Sequence, residues 1–178
     1  MEQDVTFRAP WGTLLKITTS LLALTLMGIA LVGVFVGPRD NILWVLGMVA
    51  VPLLILVVAS LFIIRGYVLT GDSLLIRRLG WTSKIDLSGL TSVEVDPQAM
   101  AKSIRTFGNG GLFCFAGAFH NNKLGSYRAF VTDPRRSVIL RWANRVAVVT
   151  PEHPQQFAAE IIKLRHLSES QASPMLGR

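Results

Sequence analysis

The sequence predicts an α+β membrane protein: an N-terminal two-helix transmembrane hairpin, then a small antiparallel β-barrel capped by a C-terminal α-helix. Three observations carry this. Two long uncharged runs lie near the start, patterning of period two with turn dipeptides begins at Tyr67, and apolar residues at helical spacing close the chain. Composition agrees. Of 178 residues, 51% are hydrophobic and 16% charged, where soluble domains carry about a quarter charged residues. The net charge of +7 is unevenly placed. Residues 1–64 balance Arg8, Lys16 and Arg39 against Glu2, Asp4 and Asp40, so the whole excess falls in residues 65–178. An apolar, neutral front therefore precedes a basic, water-compatible back. This excludes a disordered, collagenous or purely soluble protein.

The hairpin occupies residues 1–64, with spans at about 17–36 and 42–64. Ile17 to Val36 and Ile42 to Ile64 carry no charge, and about 20 apolar residues cross a hydrocarbon layer of about 30 Å. Helix is required there, because lipid cannot satisfy stray peptide groups. Gly37-Pro38-Arg39-Asp40-Asn41 is short enough only for a tight antiparallel connection. Pro52 falls inside the second run, where neighbours can tolerate a kink, and Trp11 and Trp44 lie near span ends as interfacial aromatics do. The first run is too long for a signal-peptide core and lacks an A-x-A site. Arg8 and Lys16 before the first span, and Arg65, Arg77, Arg78 and Lys84 after the second, place both termini in the cytoplasm by the positive-inside rule. Gly33 and Gly37 form a G-x-x-x-G pair, which lets helix backbones approach closely. Packing within the hairpin is the first reading of that pair and homo-oligomerisation the second.

The back half, residues 65–167, reads as about seven strands and a helix. Tyr67–Thr70 and Ser73–Leu79 flank a Gly71-Asp72 turn, and Trp81–Ile85 resumes after Gly80. Leu90–Val95 alternates until Asp96-Pro97 stops it. Ser126–Thr132, Ser137–Trp142 and Arg145–Thr150, joined by turns at 133–136 and 143–144, predict an antiparallel meander. Pro154 suits a first helical position, and Phe157, Ile161 and Leu164 share one face with Ala158 and Ile162 beside them. Residues 168–178 read as a disordered tail.

Three segments carry a family resemblance. Tyr67-x-Leu69-Thr70-x-Asp72-x-Leu74-x-Ile76-Arg77-Arg78 resembles the opening of bacterial pleckstrin-homology (PH) domain membrane proteins. Arg105-Thr106-Phe107-Gly108-Asn109-Gly110-Gly111-Leu112-Phe113, followed by Gly117-x-Phe119 and Leu124-Gly125, is the more specific match. Thr150-Pro151-x-x-Pro154-x-x-Phe157 is similar to the family's entry into its last helix, with His153 where the family pattern has Asp. The resemblance implies a PH-like barrel over roughly residues 65–166, closed at one corner by its helix and preceded by two transmembrane helices. It assigns no activity.

No catalytic, metal or cofactor site is predicted. The glycines from Gly108 to Gly125 have no following Lys-Ser or Lys-Thr, so they do not make a phosphate loop. They suit positive φ and close backbone approach in a bulged, folded-over segment. Its apolar residues Leu112, Phe113, Phe115 and Phe119 read first as barrel filling and second as a membrane or partner contact. His120, His153 and His166 lie far apart, and Cys114 has His120 nearby but no orienting third group. The lone cysteine also excludes an internal disulfide and reads as a small buried thiol. The acids stand at turns, where they stabilise local backbone.

The basic side chains are the candidate lipid- or partner-facing set: Arg77, Arg78 and Lys84 around one turn; Lys102, Arg105, Lys123 and Arg128 around the glycine-rich stretch; Arg135 and Arg136 on another turn. Beside an anionic leaflet each contributes about 1 kcal/mol; the alternative is a solvated positive-inside surface. Nucleic acid is not expected, since no aromatic–basic repeat or groove-reading helix occurs. These features favour a non-enzymatic, membrane-anchored binding or scaffold module at the inner face of the bacterial membrane, meeting a protein partner or anionic lipid. The second reading is an accessory or pore-forming subunit of a transport assembly. Spans without intramembrane charge speak against an ion path, and the span hydroxyls of Thr18, Thr19, Ser20, Thr25 and Ser60 can be satisfied by their own helices.

Overall fold

The computed structural model describes residues 4–38 and 40–172, with side chains as far as Arg165. Strand β1 (Val5–Arg8) leads into α1 (Thr13–Phe35), which a short turn joins to α2 (Ile42–Leu61). Then follow β2 (Ile64–Thr70), β3 (Ser73–Arg78), β4 (Thr82–Asp86) and β5 (Leu90–Val95). Strands β6 (Ile104–Gly110), β7 (Phe115–Asn121), β8 (Gly125–Val131), β9 (Val138–Trp142) and β10 (Val146–Val149) precede α3 (Pro154–Ala172).

Both α1 and α2 are long and apolar enough to cross a membrane. In the most apolar window of α2 only 6% is buried within the chain, whereas a soluble core helix would be mostly covered. At the turn, Asn41 caps α2 by accepting from the Leu43 and Trp44 N–H groups; Arg39 lies outside the described residues. Leu46–Ala50 forms a π-helical turn, with the Val51 N–H donating to the Leu46 carbonyl five residues back. This wider turn sits just ahead of Pro52, which has no N–H to give. The expected second span shortens: Phe62 and Ile63 donate to the Ala59 and Ser60 carbonyls, a tight i,i+3 ending, and β-branched Ile64 opens β2. The first helix starts earlier than expected, at Thr13.

The expected closed barrel is instead two sheets. One has the order β1-β2-β3-β4, the other β5-β9-β10-β8-β7-β6. They pack on a shared core of Tyr67, Leu69, Leu74 and Ile76 from the first and Phe130, Val138, Leu140 and Val149 from the second. Helix α3 plugs this core with Phe157 and Ile161, each wholly buried, while Ile162 faces outward. Tyr67 bridges the sheets: its hydroxyl donates to the Phe130 carbonyl at 2.6 Å and accepts from the Thr150 N–H at 3.2 Å. Burial, outweighing the Thr150 hydrogen bonds, pushes its pKa up to about 12.

Nine strands, β2–β10, stand where about seven were expected, and β1 adds a tenth from ahead of the hairpin. Strand β1 pairs antiparallel with β2, Val5 opposite Leu69, and buries Phe7. The folded domain thus draws on residues from both sides of the hairpin. Strands β6 and β7 form a bulged hairpin in the segment read as folded over, with strands that the sequence reading does not assign. The meander is also corrected. Strand β10 inserts between β8 and β9, parallel to β8 and antiparallel to β9. The Pro134–Arg136 3₁₀ turn is too wide for a tight hairpin. It leaves a slot that the nearly fully buried Val146–Val149 run fills by pairing on both edges. In β5 a register shift at Thr91 puts Leu90 and Val93 on the same side, so the strict alternation read from the sequence slips by one there. Helix α3 continues past residue 167 to Ala172; the remaining tail, 173–178, lies outside the described residues.

Candidate functional site

The glycine-rich stretch works as a socket for α1. Gly108 and Gly117 face each other across β6 and β7, with φ +104° and +137°. A Cβ on either would strike the opposite strand's carbonyl, so only a glycine pair allows this approach. At the tip, the Asn109 side chain donates to the Leu112 carbonyl at 2.6 Å and accepts from the Gly111 and Leu112 N–H groups. This local loop aims the Gly111 carbonyl at α1, where the hydroxyls of Thr18 and Thr19 donate to it at 3.1 and 3.0 Å. Thr19 also accepts from the Phe113 N–H at 3.0 Å. Two of the span hydroxyls therefore serve the domain, beyond the intrahelical partners expected. Leu15, wholly buried, and Trp11, whose ring lies 6.2 Å from that of Phe113, complete the contact.

Helix α2 leaves a groove instead. A cavity of about 980 Å³ lies between the helices and the β6–β8 surface. Its apolar wall comes from Leu22 of α1, Leu54, Ile55 and Val58 of α2, and Phe62. The facing wall carries Ala116, Ala118 and Phe130, with Phe107, 80% exposed, at its edge. Three arginines line it: Arg78 at the end of β3, Arg105 on β6 and Arg128 on β8. No Asp or Glu does.

Arg78 is the unusual member. Its guanidinium lies 5.5–5.6 Å from the ring centres of Phe62, Trp81 and Phe130, a desolvated aromatic box. Nε and Nη1 are buried without a hydrogen-bond partner. Burial lowers its pKa from the ordinary arginine value, against the opposing influence of Cys114 and Tyr67. Beside it, the Cys114 thiol donates to the Phe62 carbonyl at 3.4 Å, and burial pushes its pKa up to about 11. That is the opposite of an activated nucleophile.

The remaining basic candidates do not converge here. Lys123 is paired with Asp96. Arg136 donates to the Glu152 carbonyl and lies 3.4 Å from Asp133. Arg77, Lys84, Lys102 and Arg135 are exposed and outside the groove. Arg105 also donates to the Gly108 carbonyl at 3.0 Å. His120 meets Ser126 at 3.2 Å, the His153 carbonyl accepts the Phe157 N–H, and the His166 side chain lies outside the described residues. Among the described residues no group of three or more His, Cys, Asp or Glu gathers as a metal site would require.

Both hairpin glycines meet α2 of the same chain. A Cβ on Gly33 would lie 2.7 Å from Met48 Cβ, and one on Gly37 would collide with the Trp44 ring. Trp44 in turn donates its indole N–H to the Gly33 carbonyl at 3.1 Å. The groove itself was missed from the sequence, although each arginine was visible. Its only early sign was that Arg78 ends a strand beside Trp81.

No curated protein and no solved structure matches the chain. The model of the bacterial PH domain matches residues 65–164, which contain β2 from its second residue, β3–β10, the socket, all three groove arginines and the core part of α3. With more than half of its length matched, the chain belongs to the bacterial PH domain family.

Proposed function

We propose that this protein is a membrane-anchored, non-enzymatic binding and scaffold module. Its PH domain stands at the inner face of a bacterial membrane, with both termini cytoplasmic. The observation that carries this is the way the domain is fixed to two largely uncovered apolar helices. The first turns of α1 are bonded into the β6–β7 tip, and β1, ahead of the hairpin, completes a sheet with strands that follow it. Such a mount orients one face of the domain towards the lipid, where basic residues gain from an anionic leaflet. Membership of the PH family supports binding in place of catalysis. A protein partner has separate support: β6 is a sheet edge with Ile104 71% and Phe107 80% exposed, a surface fit for strand addition.

Alkaline carbonate extraction of cell membranes, combined with a reporter fused after Arg178, tests this reading. The chain is expected in the carbonate-resistant pellet with a reporter active in the cytoplasm. Release into the supernatant would remove the anchor, and a reporter active only outside the cytoplasm would reverse the orientation.

A further inference from the structure

We propose that the groove between α2 and strands β6–β8 holds one anionic glycerophospholipid, with its phosphate among Arg78, Arg105 and Arg128 and its chains along Leu54, Ile55 and Val58. The assignment rests on the membrane-anchored reading and goes beyond it, from a generally basic surface to one site for one lipid molecule.

The groove has two chemistries on opposite walls. Three cations reach it from three different strands, and no acid lines it. With no acid among the lining residues, the groove presents net positive charge beside an apolar wall, and an anion entering it is attracted. Arg78 states the need most directly. Aromatic faces stabilise its charge but supply no acceptor for the buried Nε and Nη1, so a phosphate that reaches them must displace part of that ring packing. A guanidinium suits a phosphate because planar N–H donors match its oxygens.

The apolar wall decides which phosphate compound. Leu54 is 60% exposed and Val58 44%, so the wall runs without a break onto the outer surface of α2. A soluble phosphate would leave that wall wet. An apolar peptide would leave the arginines unneutralised. A phospholipid covers both, with its head in the cleft and its chains beside the helix. The volume, about 980 Å³, lies at the upper end of ligand pockets, about 300–1,000 Å³. It therefore takes the glycerophosphate and the first part of the chains, while the rest follow α2.

The test uses the full chain in detergent micelles doped equally with phosphatidylglycerol and phosphatidylcholine, read by native mass spectrometry. One phosphatidylglycerol per chain is expected to be retained in preference to phosphatidylcholine. Arg78→Met and Arg128→Gln should each reduce that retention about tenfold, the loss of one charge-assisted contact. Arg135→Ala, outside the groove, should leave it unchanged, and excess inorganic phosphate should not displace the lipid. Equal retention of the two lipids, or wild-type retention by Arg128→Gln, overturns the assignment. Arg128→Gln decides if Arg78→Met does not fold, because position 128 is exposed. Displacement by inorganic phosphate would reassign the site to a soluble anion. A chain that resists carbonate but shows no lipid preference fails only here, whereas carbonate release fails the anchor itself.

Discussion

Helix α1 enters the domain through hydrogen bonds that are all answered: two threonine hydroxyls share the Gly111 carbonyl, and one of them accepts the Phe113 N–H. Helix α2 leaves through Phe62, whose ring sits under a guanidinium with two buried, unanswered nitrogens. The two junctions sit at the same end of the hairpin and use opposite chemistry. A saturated polar contact fixes position, because breaking it strands a buried donor. The Arg78 cation is held by its aromatic contacts alone, and its buried N–H donors stay unpaired. The first junction holds the domain, and the second leaves an open groove.

The strongest way to break this contrast is at the glycine pair. Gly117→Val places a side chain against the Phe107 carbonyl at a φ of +137°, so the β6–β7 tip must move and the α1 junction with it. A loss above about 4 kcal/mol is expected in thermal or denaturant unfolding. A milder cut is Thr19→Val, which leaves the Phe113 N–H without its acceptor and keeps the volume. It should cost about 1–3 kcal/mol. A change within error would show that the α1 junction is less committed than its bonds suggest.

The α2 junction has a pH signature. Cys114 holds its proton more tightly folded than unfolded, with a pKa of about 11 against an ordinary 9.0. Its contribution is therefore complete below about pH 9 and is lost as pH rises towards 11. Cys114→Ala should flatten the decline of melting temperature across that window, and wild-type thiol alkylation at pH 9 should be slow. The smallest effect on stability is expected for Arg78→Met. Loss of the cation–π contacts offsets relief of the buried charge, so unfolding should shift by no more than about 1 kcal/mol. A loss comparable with that of Thr19→Val would make Arg78 a structural element and erase the contrast between the junctions.

The parts of the fold that follow from local pattern were legible in the sequence. Two uncharged runs gave both helices, turn dipeptides gave the β2–β3 hairpin, and the Phe157, Ile161 spacing gave the face of α3 that closes the core. What escaped depends on partners distant in sequence. Four residues at Val5–Arg8 signal no strand until β2 offers an edge. Parallel pairing of β10 with β8 is invisible to local alternation, since both strands look alike on either partner. Glycines hid β6 and β7, because strand propensity counts against them while close packing demands them. For the site, the sequence marked Arg78, Arg105 and Arg128 along with many other bases. Only the groove formed where α2 stands beside the sheet separates these three, and its lining comes from segments far apart in sequence.

Strand β1 emerges before the hairpin, and its partner emerges after it. During synthesis Val5–Arg8 must wait, unpaired, while two apolar helices leave the ribosome, and Val5 meets Leu69 only once both have been placed. A chain whose Val5–Arg8 segment was held on the far side of the hairpin could never finish this ladder. Phe7 would be missing from the core, and β2 would keep an open edge, the kind of surface that invites aggregation or quality control. Completion of the four-stranded sheet thus requires the two ends of the hairpin to meet on one side of it, a condition written into chain order.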